Sequence, residues 1–142
     1  MTVESYPDTE GACRTWLRTK ASLTAVVAQR IFFGVPDDAA ESDFPLITIQ
    51  RISGGEDSSE APLDVATLQI DVWGNLRGKA AIATLANSVQ AEFKDVRSAT
   101  AFDGSVVCLG AVVENRAFMV DPEDQRPRYS LTVQVVTRSG TP

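Results

Sequence analysis

The sequence contains no histidine. That excludes the Ser-His-Asp and Cys-His arrangements of nucleophilic catalysis and the imidazole ligands of most zinc sites. Cysteine is scarce: Cys13 and Cys108 stand far apart, and neither belongs to a Cys-x-x-Cys pair. A redox or zinc motif therefore has no support. Both are expected to be free, buried thiols of a reducing compartment. Long apolar runs are missing too. The longest, Val106 to Val113, falls far short of the roughly 20 residues needed to span a bilayer. Met1 to Glu10 carries Glu4, Asp8 and Glu10 and no apolar stretch, so no signal peptide is expected. The expectation is a protein that folds in the cytoplasm and has no membrane partner. Positive charge is the minority sign, 13 Lys and Arg against 19 Asp and Glu, for a net charge of −6 and a pI near 4.6. Such a chain repels phosphate backbones, which argues against tight sequence-independent DNA binding.

Other chemical motifs fail on inspection of their spacing. Gly54-Gly55 is followed by acidic residues and by no lysine at P-loop distance, so it is not a phosphate cradle. The acidic stretch Val35 to Asp43 lacks the ligand spacing and central glycine of a calcium loop. Asp71 is the best-placed carboxylate for acid–base work, beside Trp73, but no second partner accompanies it. It is expected to lie on a solvated sheet face or to pair across strands. Arg14, Arg18 and Lys20 are read as the solvated face of an amphipathic helix, and Trp16 and Trp73 as core or interface aromatics. No catalytic residue, metal or cofactor is assigned, and the chain is not expected to be an enzyme.

What is present is a core-forming pattern. Hydrophobic residues make up 44% and charged residues 23% of the 142-residue chain, enough for one globular core. Leu68-Gln69-Ile70-Asp71-Val72-Trp73 alternates with the period of a half-buried strand. Gly74-Asn75 punctuates it. Ile82, Leu85, Ala86, Val89 and Phe93 then recur at helical spacing within a helix expected from Gly78 to Lys94. Ahead of this hub, Asp8 or Thr9 is placed to cap a helix carrying Cys13, Trp16, Leu17, Leu23 and Val27, with a break near Ala21-Ser22. Phe44 to Ile52 reads as a strand, and Ser53 to Asp64 as a long polar loop. Ser105 to Val113, extended by Glu114-Asn115-Arg116, reads as a third strand. Phe118-Met119-Val120 is too short to classify, and Asp121 to Pro127 is a charged turn. Tyr129 to Thr137 is the last strand. The expected fold is one α+β domain over residues 1–142, with loose termini at 1–7 and 138–142. It has a four-stranded, mostly antiparallel sheet, helices packed on one face, and the order α-β-β-α-β-β.

The succession of a leading helix, Gln29-Arg30-Ile31-Phe32, Phe44-Pro45-Leu46-Ile47-Thr48-Ile49, a polar loop, Leu68 to Gly74, a helix, and a late strand with Arg128-Tyr129 and Leu131-Thr132-Val133-Gln134-Val135 resembles the tail-completion, or tail terminator, family of long-tailed bacteriophages. The likeness covers about Cys13 to Val136 and carries no active-site residues. It implies a structural virion protein that forms a ring, a homohexamer as is typical of the family, on the end of the tail tube. The ring would stop tube polymerisation, meet the head–tail connector, and let DNA pass without gripping it. Assembly would occur in the host cytoplasm. A neck or head-closure connector, or a small ligand-binding or enzymatic α+β domain, is the competing reading. Within the polar loop, Gly55, Glu56, Asp57, Ser58, Ser59 and Glu60 are the candidate contact with a neighbouring subunit or the tube, because the loop exceeds hairpin length and its carboxylates resist burial in their own core.

Overall fold

The computed structural model describes residues 7–54, 63–96 and 99–140. Helix α1 (Thr9–Leu17) starts at Asp8, whose side chain accepts a hydrogen bond from the Gly11 N–H at 3.1 Å, satisfying one of the free donors of the first turn. Helix α2 (Ala21–Val27) follows after a short turn and ends at Ala28, where φ is 53°. Strand β1 (Ile31–Phe32), a 3-10 turn (Glu41–Asp43), β2 (Leu46–Gly54), β3 (Leu63–Trp73), α3 (Lys79–Lys94), β4 (Thr100–Ala101), β5 (Val106–Val120) and β6 (Pro127–Ser139) complete the described elements.

The strands form a six-stranded sheet in the order β1-β2-β3-β6-β5-β4. It is mixed: β1 runs parallel to β2, and the other pairs are antiparallel. This corrects the expected four-stranded, mostly antiparallel sheet with order α-β-β-α-β-β. The two additional strands, β1 and β4, are two residues long each, and a period of two leaves no trace over two residues. The helical lead-in is also two helices, because the chain turns between Arg18 and Lys20.

Strand β3 lies inside the sheet, with Ile70 opposite Ile49 on one side and Leu131 on the other. Ala66, Leu68, Ile70 and Val72 are buried and join one hydrophobic cluster with Ile47, Ile49, Leu131, Val133 and Val135. The α3 stripe Ile82, Leu85, Ala86, Val89 and Phe93 packs into the same cluster, as do Trp16, Leu17, Leu23 and Val27. Each fully buried side chain of this size contributes about 1.5–3 kcal/mol. Trp16 stacks on Phe102 with centroids 4.8 Å apart and meets Phe93 at 5.2 Å, so it is a core aromatic.

Two glycines are required by geometry. Gly54 has φ of +113°, and a Cβ there would run into the Val65 carbonyl. At Gly74 a Cβ would sit 2.8 Å from Ile82 Cγ2, so its absence lets α3 fold back closely on β3.

Candidate functional site

The candidate contact residues Gly55, Glu56, Asp57, Ser58, Ser59 and Glu60 lie outside the described residues. Their anchors are described. β3 begins at Leu63, so Leu63 and Asp64 belong to the strand rather than to the loop. Asp64 is 2% exposed and forms a two-point pair with Arg51, whose two terminal nitrogens donate to its carboxylate oxygens at 2.7 and 2.6 Å. The Thr9 hydroxyl also donates to Asp64, and lies 2.8 Å from the Thr137 hydroxyl. Burial alone would raise the Asp64 pKa, but the hydrogen bonds from Arg51 and Thr9 outweigh it and hold the carboxyl below its ordinary value. The same pairing raises Arg51. The Glu10 carboxylate accepts the Arg51 backbone N–H at 2.6 Å, so α1, β2, β3 and β6 are joined through polar atoms at the base of the loop.

Asp71 is paired within the sheet. It is 6% exposed and accepts from Gln69 at 3.0 and 3.2 Å and from Arg128 at 3.4 Å. Arg128 also lies over the Trp73 ring at 4.6 Å, and Trp73 donates its indole N–H to Thr48 at 2.9 Å. Among the described residues no second carboxylate hydrogen-bonds within the group. Among the described residues no cluster of three His, Cys, Asp or Glu side chains is arranged to hold a metal, and no helix is long and apolar enough to cross a membrane.

Cys13 and Cys108 are free and buried. Burial raises both thiols, Cys108 to about 11. They lack the electropositive surroundings that make a thiolate.

Sequence reasoning missed Arg126. Its guanidinium donates to Glu41 at 2.7 Å, to Asp124 at 3.1 Å and to the Gly74 carbonyl at 3.0 Å, and covers the Phe44 ring at 3.6 Å. Glu41 in turn accepts the Leu76 N–H at 2.9 Å. The hydrogen bond from Arg126 is the main cause of a lowered Glu41 pKa. One side chain thus ties the β5–β6 turn to the β3–α3 turn and to the acidic stretch that a calcium reading would have claimed. Apart from Asp124 in its own turn, its partners come from two distant segments, around Glu41 and at Gly74, which no local spacing announces.

The outward surface is more informative than any pocket. β4 pairs only with Val107 and Cys108 of β5. From Leu109 to Val120 no described strand pairs with the outer side of β5. Val112, Phe118, Met119 and Val120 are exposed along it. Apolar groups gathered on an open strand suit contact with another chain better than chemistry on a small molecule.

The comparisons with known proteins agree with that character. The family model described as tail completion protein gp17 matches residues 11–138. No curated protein matches the chain. Among solved structures, a chain from the virion of a native gene transfer agent (GTA) particle has a similar fold. Its TM-score is 0.68 at 16% identity, with 93% of this chain and 95% of that chain covered. By the family match, which spans almost all of the described helices and sheet, this chain belongs to the tail completion protein gp17 family.

Proposed function

We propose that the chain acts as one domain that assembles into a ring, a homohexamer, on the end of a phage tail tube. There it stops tube polymerisation and joins the tail to the head. The observation that carries this reading is the family match over residues 11–138. The unpaired, partly apolar edge of β5 is consistent with it, since a ring subunit needs surface that only a neighbour covers. The partners are further copies of the chain, the tail-tube protein and the head–tail connector protein. DNA passes through the ring, and the net charge of −6 per chain disfavours a grip on it. The loop Gly55 to Glu60 is placed in the same role as a contact with a neighbour or the tube.

Electron microscopy of the purified protein, alone and mixed with polymerising tail-tube protein, tests the reading. The expected result is six-membered rings that sit on tube ends and hold tube length constant. Tubes that grow to the same lengths with and without the protein would overturn it.

A further inference from the structure

The register divides the long strands into two faces. Ile49, Ile70 and Leu131 stand side by side, as do Leu68 and Val133. They belong to the core cluster that the buried side chains of α1, α2 and α3 complete. The alternate residues point the other way. Gln50, Gln69, Thr132 and Asn115 form one row there, and Thr67, Gln134 and Val112 the next. None of these belongs to the core cluster, and neither do Leu46 and Val107, which are buried on that same face. The helices therefore pack on one side of the sheet, and the two rows lie on the other. Gln50, Asn115 and Val112 are exposed there, and Gln69, Thr132, Thr67 and Gln134 are half-buried.

This second face is polar without net charge. The chain has 19 acidic and 13 basic residues, yet the two rows contain neither kind. Beyond Gln69, the carboxylate of Asp71 is met on the same face by Arg128 at 3.4 Å. Arg138 stands at the far end of β6, and Glu114 falls at a register shift on β5 without a partner on β6, so charge borders the rows and does not enter them. Lys79 and Arg116, over the Phe118 and Tyr129 rings, belong to the helix side, where Arg116 also donates to the Ala83 carbonyl of α3. Among the described residues, the side chains of Gln50, Thr67, Asn115, Thr132 and Gln134 make no hydrogen bond. Their donors and acceptors are free to hold water. The core of a contact between proteins is richer in apolar and aromatic groups, and burying unpaired amides there is costly. This composition therefore suits a wetted surface better than a seam between subunits.

We infer that this face, centred on Gln69, Thr132 and Gln134, lines the passage of the ring, and that its occupant is duplex DNA in transit. The inference deepens the ring reading and rests on it. A wall for a moving polyanion has two ways to fail. Carboxylates repel phosphates and oppose entry. Lysines and arginines bind phosphates by releasing counterions, and that grip must be broken at each step. Amides and hydroxyls do neither: they stay hydrated and trade hydrogen bonds between water and phosphate at no net charge. The one ionic pair on the face, Asp71 with Arg128, cancels itself. β3 and β6 each carry a strand on both sides, so the middle of the wall is fixed by backbone ladders and the amides project from a stiff surface.

Charging the wall tests this with the full chain. T132K/Q134K puts two lysines per subunit on the face. T84K/A91K, the control, puts two on the solvent side of α3, where Thr84 and Ala91 are exposed. Rings are formed first, and a duplex of arbitrary sequence is then added at about 0.1 M salt, as a linear molecule or as a covalently closed circle. Far-UV circular dichroism reads the fold, and electron microscopy the rings. T132K/Q134K is expected to keep both and to bind linear duplex about tenfold or more tightly than the parent, a gain that falls as salt rises. It gains nothing for the circle, which has no end to thread. Any gain by the control is equal for the two forms. Equal gains for line and circle by T132K/Q134K would put the face outside the ring and overturn the inference, and so would intact rings with no gain. A folded T132K/Q134K that forms no rings while the control does would assign the face to a subunit contact and overturn it as well. If T132K/Q134K does not fold, Q50K/N115K, at two exposed positions of the same row, decides by the same comparison. A parent protein that stays monomeric with and without tail-tube protein would instead sink the ring reading itself, and the passage with it.

Discussion

The two edges of the sheet are finished in opposite ways. At the β1–β2 edge, side chains occupy the outward backbone groups: Arg18 donates to the Ile31 carbonyl and Glu10 accepts the Arg51 N–H. Helix α1 runs alongside, and Arg51 is locked to Asp64. At the other edge, β4 pairs with β5 only at Val107 and Cys108, and the rest of β5 carries exposed Val112, Phe118, Met119 and Val120. Proteins that live as isolated monomers blunt both edges, because a bare strand invites pairing. A chain that closes one edge with its own side chains and leaves the other open has surface reserved for a partner. If the open edge is the one a partner covers, stability and association are separable, and each prediction separates the two.

The largest expected effect on folding comes from Asp64→Ala. It strands the Arg51 guanidinium and removes the acceptor of the buried Thr9 hydroxyl, at a cost of about 2–3 kcal/mol, readable as a lower urea midpoint at unchanged m-value. The pH dependence follows from the sign of the shift. The folded-state pKa of Asp64 is depressed. Its contribution is therefore fully present above the unfolded value of about 3.9 and is lost as pH falls through the folded one. The parent should lose this contribution on acidification below about pH 4, and Asp64→Asn should lack that part of the acid dependence. A substitution that leaves the urea midpoint unchanged would show that the closed edge is held by apolar packing alone.

Glu10→Ala is the next test of the same edge. It frees one backbone donor on β2 that sits beside other polar groups, so the loss is about 1 kcal/mol by thermal or urea melting. If the comparison is right, this variant also begins to associate through β2, which dynamic light scattering of the purified protein would detect. A monodisperse variant would mean that α1 covers the edge without the help of Glu10.

The closed edge was poorly legible in the sequence, and the centre was well legible, for physical reasons. Alternation in Leu68 to Trp73 and the α3 stripe are repeated signals, each residue reinforcing the next, and their buried members form the core. β1 and β4 are too short to repeat anything. β5 was read only to Val113 with an extension to Arg116, because register shifts between Cys108 and Gly110 and between Val113 and Asn115 break the period of two. Phe118 to Val120, unclassifiable alone, are the end of that strand. Asp64 was assigned to the loop because a single aspartate beside a proline-containing polar stretch looks solvated, and only Arg51, Thr9 and Thr137 arriving from elsewhere make it structural. The candidate site residues Gly55 to Glu60 rest on loop length and composition alone.

Shortening the stretch from Gly55 to Glu60 to an Asn-Gly turn changes folding by less. Loop closure depends on the logarithm of length, so halving a loop shifts stability by about 0.6 kcal/mol. If the loop is a subunit or tube contact, rings or tube capping fail at near-parental melting temperature. If rings still form and still cap tubes, contact is left to the β5 side.

The smallest expected effect on folding belongs to Val120→Lys. Val120 is 46% exposed at the end of β5, opposite Pro127. A surface substitution of this kind moves stability by about 0.5 kcal/mol or less. The lysine removes apolar area from the open edge of β5. It also supplies the charged side chain by which edge strands commonly avoid pairing. The expected outcome is a protein with the parental circular dichroism spectrum and urea midpoint that sediments as a monomer where the parent forms rings. A variant that keeps its fold and its rings would place the open edge on the outside of the assembly. The neighbour would then be held by another surface, with the loop between β2 and β3 as the first to test. Glu10→Ala and Val120→Lys thus act in opposite directions, one opening an edge at a measurable cost in stability and the other closing an edge at almost none.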